Sequence, residues 1–150
     1  MSDHRVSNWV WAAFAWIAVI FFSSTTLASK WAEGTFSFFA DTLLAHLQQN
    51  SNSYGFVHFL ADKGFHVSLF CVLAVLLWQA LRHSEKKIWL ILTTGAVIGS
   101  CSELLQRLFP GRDPAVRDVL INIGGTLVGI VFCIAVTKMI SHRGRVPVRA

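Results

Sequence analysis

Charge is what this sequence has least of. Only 14% of its 150 residues are Asp, Glu, Lys or Arg, against 54% that are hydrophobic. Soluble globular domains carry roughly 25% charged residues. With a mean hydropathy of +0.55, the shortage excludes an ordinary soluble domain and points to a membrane protein. Cysteine is also scarce: Cys71, Cys101 and Cys133 each sit inside an apolar run, which reads as three small core residues and not as a disulfide or metal framework. The sequence has no HExxH motif, no lipid-phosphatase signature, no evident nucleophile arrangement and no internal repeat of the kind many transporters show. No cofactor or metal is expected. The net charge of +5 is explained by residues flanking membrane spans, so it gives no support to a nucleic-acid partner.

What the chain does have is apolar length, enough for one domain. Four runs approach or exceed the ~20 residues a helix needs to cross a bilayer, at about 9–28, 56–81, 88–109 and 114–140. The first reads as an uncleaved span, since its leading segment holds one arginine, Arg5, and the run is long for a signal peptide. Between the first and second, Phe36, Phe39, Leu43, Leu44 and Leu47 share one helical face, which predicts a short amphipathic or re-entrant helix, followed by a polar turn from Gln48 to Ser53. Pro110 and Gly111 stop the third run. Asp113 and Pro114 are a helix-start signature for the fourth. The expected fold is therefore an all-α integral membrane protein: four transmembrane helices in an antiparallel bundle, the short extra helix, and a basic tail over 141–150.

Orientation follows from lysine and arginine. With the N-terminus inside, Arg5, Arg82, Lys86, Lys87, Lys138, Arg143, Arg145 and Arg149 lie on the inner side, and Lys30, Lys63, Arg107, Arg112 and Arg117 on the outer. The bias favours both termini in the cytoplasm. The outer basic residues gather beside a run of polar ones in otherwise apolar helices. Counted from the two prolines at ~1.5 Å per residue, Glu103 and Asn122 lie at one depth, and Gln106 and Asp118 at another. Asp118, Asn122, Gly125 and Gly129 fall on one face of the fourth run. Asp62 and His66 bring an acid and an imidazole from the second. Together Asp62, Lys63, His66, Glu103, Gln106, Arg112, Asp118 and Asn122 predict one polar pocket open to the outer face, since polar residues pointing into a bundle from several helices mark a functional site. Gly125 and Gly129 predict close helix packing within the chain. His58, Asp62 and His66 stand at steps of four, but no metal motif accompanies them.

These residues carry a resemblance. Asp62, Lys63 and His66 in DKGFH, Glu103 and Gln106 in ELLQ, and Arg112, Asp118, Asn122, Gly125 and Gly129 in GRDPAVRDVLINIGGTLVG resemble the VanZ-like membrane proteins over nearly the whole chain. The chain departs from that pattern where no proline follows Ser23 to Thr26, and at Phe70, where a tyrosine is frequent. The resemblance implies a small multi-span protein of the bacterial cytoplasmic membrane, in a family named for low-level resistance to the glycopeptide teicoplanin. Joined to the polar pocket, it leads to a non-enzymatic envelope protein that binds an anionic lipid or wall-precursor headgroup, with no catalytic residue assigned. Two alternatives stay open: an intramembrane enzyme acting on a lipid-linked phosphate, with Glu103 or His66 as base, and a small transporter component.

Overall fold

The structure is a computed structural model that describes residues 3–25, 42, 51–109 and 115–143, with side chains from 8–25, 42, 62–109 and 115–142. Among these residues all regular structure is helical: α1 (Asp3–Ser23), α2 (Ser51–Ala80), α3 (Lys87–Gln106) and α4 (Val116–Arg143). Within them, Asp62–Ala80, Lys87–Gln106 and Val116–His142 are long and apolar enough to cross a membrane, while the apolar part of α1, Asn8–Ser23, is shorter. The amphipathic or re-entrant helix expected before α2 lies, Thr42 apart, outside the described residues.

Three boundaries differ from expectation. Ser51 to Ser53, read as a turn, already belong to α2, because serine and asparagine serve a helix's first turn as readily as a loop. At 30 residues, α2 is about 45 Å long and outruns a hydrocarbon core of about 30 Å. At the other end of the chain's central hairpin, α3 stops at Gln106. The Leu108 and Phe109 amides then donate to the carbonyls of Leu105 and Gln106 at 3.0 and 3.1 Å, a tightened turn that takes up the last residues before Pro110. Val116, not Pro114, begins α4.

The bundle is inverted relative to a soluble one. Its perimeter is apolar, with Trp11, Phe14, Trp89, Leu104, Val116, Leu120, Phe132 and Ile140 all exposed, as a lipid-facing surface requires. Cys101 joins that perimeter and is not the core residue expected, since its position on α3 faces away from the neighbouring helices. The interior is apolar over part of its length only. Ile20, Leu69, Phe70 and Leu73 form one buried cluster, with Trp16 packed against it. Ala74, Ile91 and Ile130 form a second. The Trp16 indole N–H donates to the Leu69 carbonyl at 2.9 Å, which ties α1 to α2 and satisfies a donor that would otherwise be stranded in an apolar layer.

Toward the ends formed by the C-termini of α1 and α3 and the described side chains nearest the starts of α2 and α4, the interior turns polar. Ser24, Ser102, Glu103, Gln106, Asp118, Asn122 and Thr126 are all buried. The opposite end carries the basic turn between α2 and α3, where Lys87 Nζ lies 4.0 Å over the Trp78 ring, a cation–π contact at the point where a lysine meets an aromatic belt.

Candidate functional site

Small residues decide where the polar groups meet. A Cβ on Gly125 would lie 2.6 Å from the Val67 carbonyl oxygen, and one on Gly129 2.6 Å from the Cys71 carbonyl and 2.7 Å from Ala74 Cβ. These two glycines therefore let the backbones of α4 and α2 touch, in parallel. One and two turns before Gly125 the same seam becomes polar. The His66 Nδ1–H donates to Asn122 Oδ1 at 3.2 Å. Beyond it, Lys63 Nζ donates to Asp118 Oδ2 at 2.9 Å and pairs with Asp62 at 2.8 Å. Side-chain exposure falls from 49% at Asp62 to 16% at Lys63 and 10% at Asp118. The lysine thus carries a charge inward from the edge of the bundle to a buried carboxylate.

A second pair of glycines, Gly95 and Gly99, performs the same service between α3 and α4. A Cβ on Gly99 would meet Asn122 Cβ at 3.1 Å, and one on Gly95 would strike the Thr126 side chain. This sets the antiparallel register: 99 beside 122 and 95 beside 126. Glu103 is then level with Asp118, one turn away from the pairing with Asn122 obtained by counting from the prolines. The count fails because the hairpin is asymmetric and the glycines, not the turn, fix the closest approach.

Asn122 consequently has α2 on one side and α3 on the other. It is fully buried, its Oδ1 faces His66, and its Nδ2 has no hydrogen-bond partner among the described residues. On the far side of α3, Ser24 donates to the Ile20 carbonyl at 3.1 Å. With its one hydrogen committed, it accepts from the Ser102 hydroxyl at 2.8 Å.

The sequence-derived residues fall into two groups. Asp62, Lys63, His66, Asp118 and Asn122 come together along the α2–α4 seam. Glu103 and Gln106 are buried on α3, and Glu103 lines a cleft of about 220 Å³ between α3 and α4, with Ser100, Leu104, Arg107, Ala115, Val116 and Val119. None of the seam residues lines that cleft. Arg107 is exposed and Glu103 buried where they border the cleft, and Gln106 is buried outside its lining, so the three do not form one group despite their spacing. Arg112, and with it Asp113 and Pro114, lies outside the described residues, as does the side chain of His58. Among the described residues no three His, Cys, Asp or Glu side chains gather to hold a metal. Sequence reasoning missed Gly95, Gly99, Ser24 and Ser102. For the glycines the signal was present in GAVIG, the same GxxxG spacing read on α4; for the serines, scattered on different helices, there was none.

Asn122→Leu is expected to shift unfolding stability in detergent by no more than about 1 kcal/mol, because one interhelical bond in a membrane bundle averages about 0.6 kcal/mol and the substitution also removes a stranded amide. A loss well above 2 kcal/mol in the denaturation midpoint would make Asn122 a packing determinant instead.

Comparison with curated proteins and with solved structures finds no match to the chain. A family model described as VanZ/LLP1 matches residues 9–138, a range that runs from the second visible turn of α1 nearly to the end of α4 and includes every residue of both polar groups. With three helices long and apolar enough to span a bilayer and a match over most of its length, this chain is a membrane protein that belongs to the VanZ/LLP1 family.

Proposed function

We propose that this protein is a non-enzymatic component of the bacterial cell envelope, which holds an anionic lipid or wall-precursor headgroup at the polar end of its bundle and thereby contributes to glycopeptide tolerance. Four spans cross the cytoplasmic membrane in this reading, α1 being the shortest, with both termini in the cytoplasm and the polar end outward. The observation that carries it is the cleft between α3 and α4. The buried Glu103 side chain and the exposed Arg107 guanidinium border one small cavity in a helix pair whose outer surface is largely apolar. Keeping charge at such a place is costly, and a headgroup offers a return for it. Arg107 and Arg112 supply bidentate donors for phosphate, and Ser100 supplies a partner for hydroxyl or amide groups.

The test is retention of phosphate-bearing lipid by the full chain in nanodiscs. Arg107→Ala and Arg112→Ala are each expected to weaken retention about tenfold or more, the worth of one hydrogen bond to a charged group, and to lower teicoplanin tolerance of cells that carry them. Unchanged retention in both variants would remove the headgroup reading.

A further inference from the structure

We infer that the α2–α4 seam holds one ordered water molecule, which accepts from the Asn122 amide and donates to the Asp118 carboxylate. This water joins the ion pairs at the seam's edge to the His66–Asn122 pair within it. The inference is independent of the headgroup reading and concerns a different face of α4.

Two buried polar atoms on adjacent turns of α4 lack a hydrogen-bond partner among the described residues: Asn122 Nδ2, a donor, and Asp118 Oδ1, an acceptor. Their residues are buried to 0% and 7% exposure. The other atom of each head group is already engaged, Asn122 Oδ1 by His66 at 3.2 Å and Asp118 Oδ2 by Lys63 at 2.9 Å. Arg117 Nε stands 3.7 Å from Asp118 Oδ1, beyond hydrogen-bond length. A stranded donor or acceptor costs about 1–3 kcal/mol, and buried water is the usual remedy.

The surroundings of the amide direct it toward Asp118. On the α3 side a Cβ at Gly99 would lie 3.4 Å from Asn122 Nδ2 and 3.6 Å from Phe70 Cε1, so the Gly99 backbone and the Phe70 ring close that approach. One turn further along α4, the Thr126 hydroxyl has its hydrogen committed to the Asn122 carbonyl at 3.0 Å. Toward the start of α4, Asp118 stands four residues away on the same face. Side chains so spaced have Cβ atoms about 5–6 Å apart, a gap that two hydrogen bonds of about 2.8–2.9 Å through one oxygen can span.

The chemistry of the two ends selects the occupant. An anion accepted by the amide would also face the Asp118 carboxylate. A cation drawn to the carboxylate would meet the amide hydrogens and the Lys63 ammonium. The seam's own charges already match, Asp62 and Asp118 against Lys63 and Arg117. What fits is a neutral molecule that accepts at one end and donates at the other. The full burial of Asn122 leaves water as the one small enough. With it in place, Asp62, Lys63, Asp118, water, Asn122 and His66 form one hydrogen-bonded chain from the edge of the bundle inward.

The experiment determines the crystal structure of the full chain from a lipid mesophase, finely enough to show ordered water, with rubidium bromide in the crystallisation medium. Wild type is expected to show one density peak within hydrogen-bond distance of both Asn122 Nδ2 and Asp118 Oδ1, without anomalous signal from either ion. Asn122→Leu is expected to lose the peak. In solution, the Asn122 side-chain amide protons of wild type in nanodiscs are expected to show a magnetisation-transfer cross-peak to water. Thr126→Val, which removes the nearest hydroxyl that could relay such a signal, is expected to keep it. Lys63→Met with Asp118→Leu is expected to lose it, with a circular-dichroism melt showing that the bundle is intact. Absence of the density peak, a peak that reaches only one of the two atoms, or an anomalous signal there overturns the inference. So does a cross-peak that disappears in Thr126→Val or survives in the double variant.

Discussion

Gly125→Ala should cost this bundle about 3 kcal/mol of stability, the upper end of what overpacking usually costs, for the addition of one methyl group. The new Cβ would lie 2.6 Å from the Val67 carbonyl oxygen, 2.9 Å from Val67 Cα and 3.1 Å from Phe70 Cβ. Two of those three atoms are backbone, so no rotamer change can make room and the two helices must separate. Separation also stretches the polar seam, since His66 and Lys63 on α2 reach Asn122 and Asp118 on α4 one and two turns away. Gly129→Ala meets the Cys71 carbonyl in the same way, and because both substitutions push one interface apart, their costs should combine to less than their sum. Gly124→Ala and Gly64→Ala provide the contrast. Nothing lies within 4 Å of a Cβ at either position, and alanine is the better helix former by about 1 kcal/mol. Unfolding midpoints in mixed micelles distinguish the two sets. If Gly125→Ala melts with Gly124→Ala, the close approach of α2 and α4 is not what holds this bundle together.

The GxxxG spacing at Gly125 and Gly129 was legible from sequence as an intramolecular packing device, because the small-residue rule is local to one helix. The partner was not legible, since spacing on α4 says nothing about whether α2 or α3 is pressed against it. The same limit explains the one-turn error in the level of Glu103: depth counted from Pro110 and Pro114 assumes a symmetric hairpin, whereas Gly95 and Gly99 set the register. Composition and hydropathy sufficed to recognise membrane helices in α2, α3 and α4, and helical periodicity sufficed to put Asp118 and Asn122 on one face. Division of the polar residues into a seam and a cleft depended on the angle at which three helices meet. That angle is a product of side-chain volumes across every interface, and no single stretch of the chain records it. Lys63 illustrates the point: its contact with Asp118, 55 positions away, requires α2 and α4 to run in parallel at one particular offset.

That contact should make Lys63→Met the most damaging single change at a charged position, at about 3–5 kcal/mol, the usual cost of removing one partner from a buried ion pair. Asp118 is 10% exposed in its side chain and keeps Arg117 Nε only at 3.7 Å from its other oxygen. Without Lys63 its carboxylate would sit at depth with that exposed guanidinium as its remaining charge partner among the described residues. Asp62→Asn should cost less than about 1 kcal/mol, because that carboxylate is half exposed and screened. The double variant Lys63→Met with Asp118→Leu should recover most of the loss, since replacing both members of a buried pair by apolar groups of similar volume is often neutral. The unfolding free energies of wild type, Lys63→Met, Asp118→Leu and the double variant then form a cycle whose coupling term isolates the pair. The cycle also separates structure from function. If the double variant is stable and still retains phospholipid at the α3–α4 cleft, the pair serves to lock α2 to α4 at the offset that shapes the cleft's α4 wall. If it is stable and retention is lost, the seam itself takes part in binding, and the two polar groups work as one site. A double variant as unstable as Lys63→Met alone would mean that the cost lies in the lysine's packing and not in its charge.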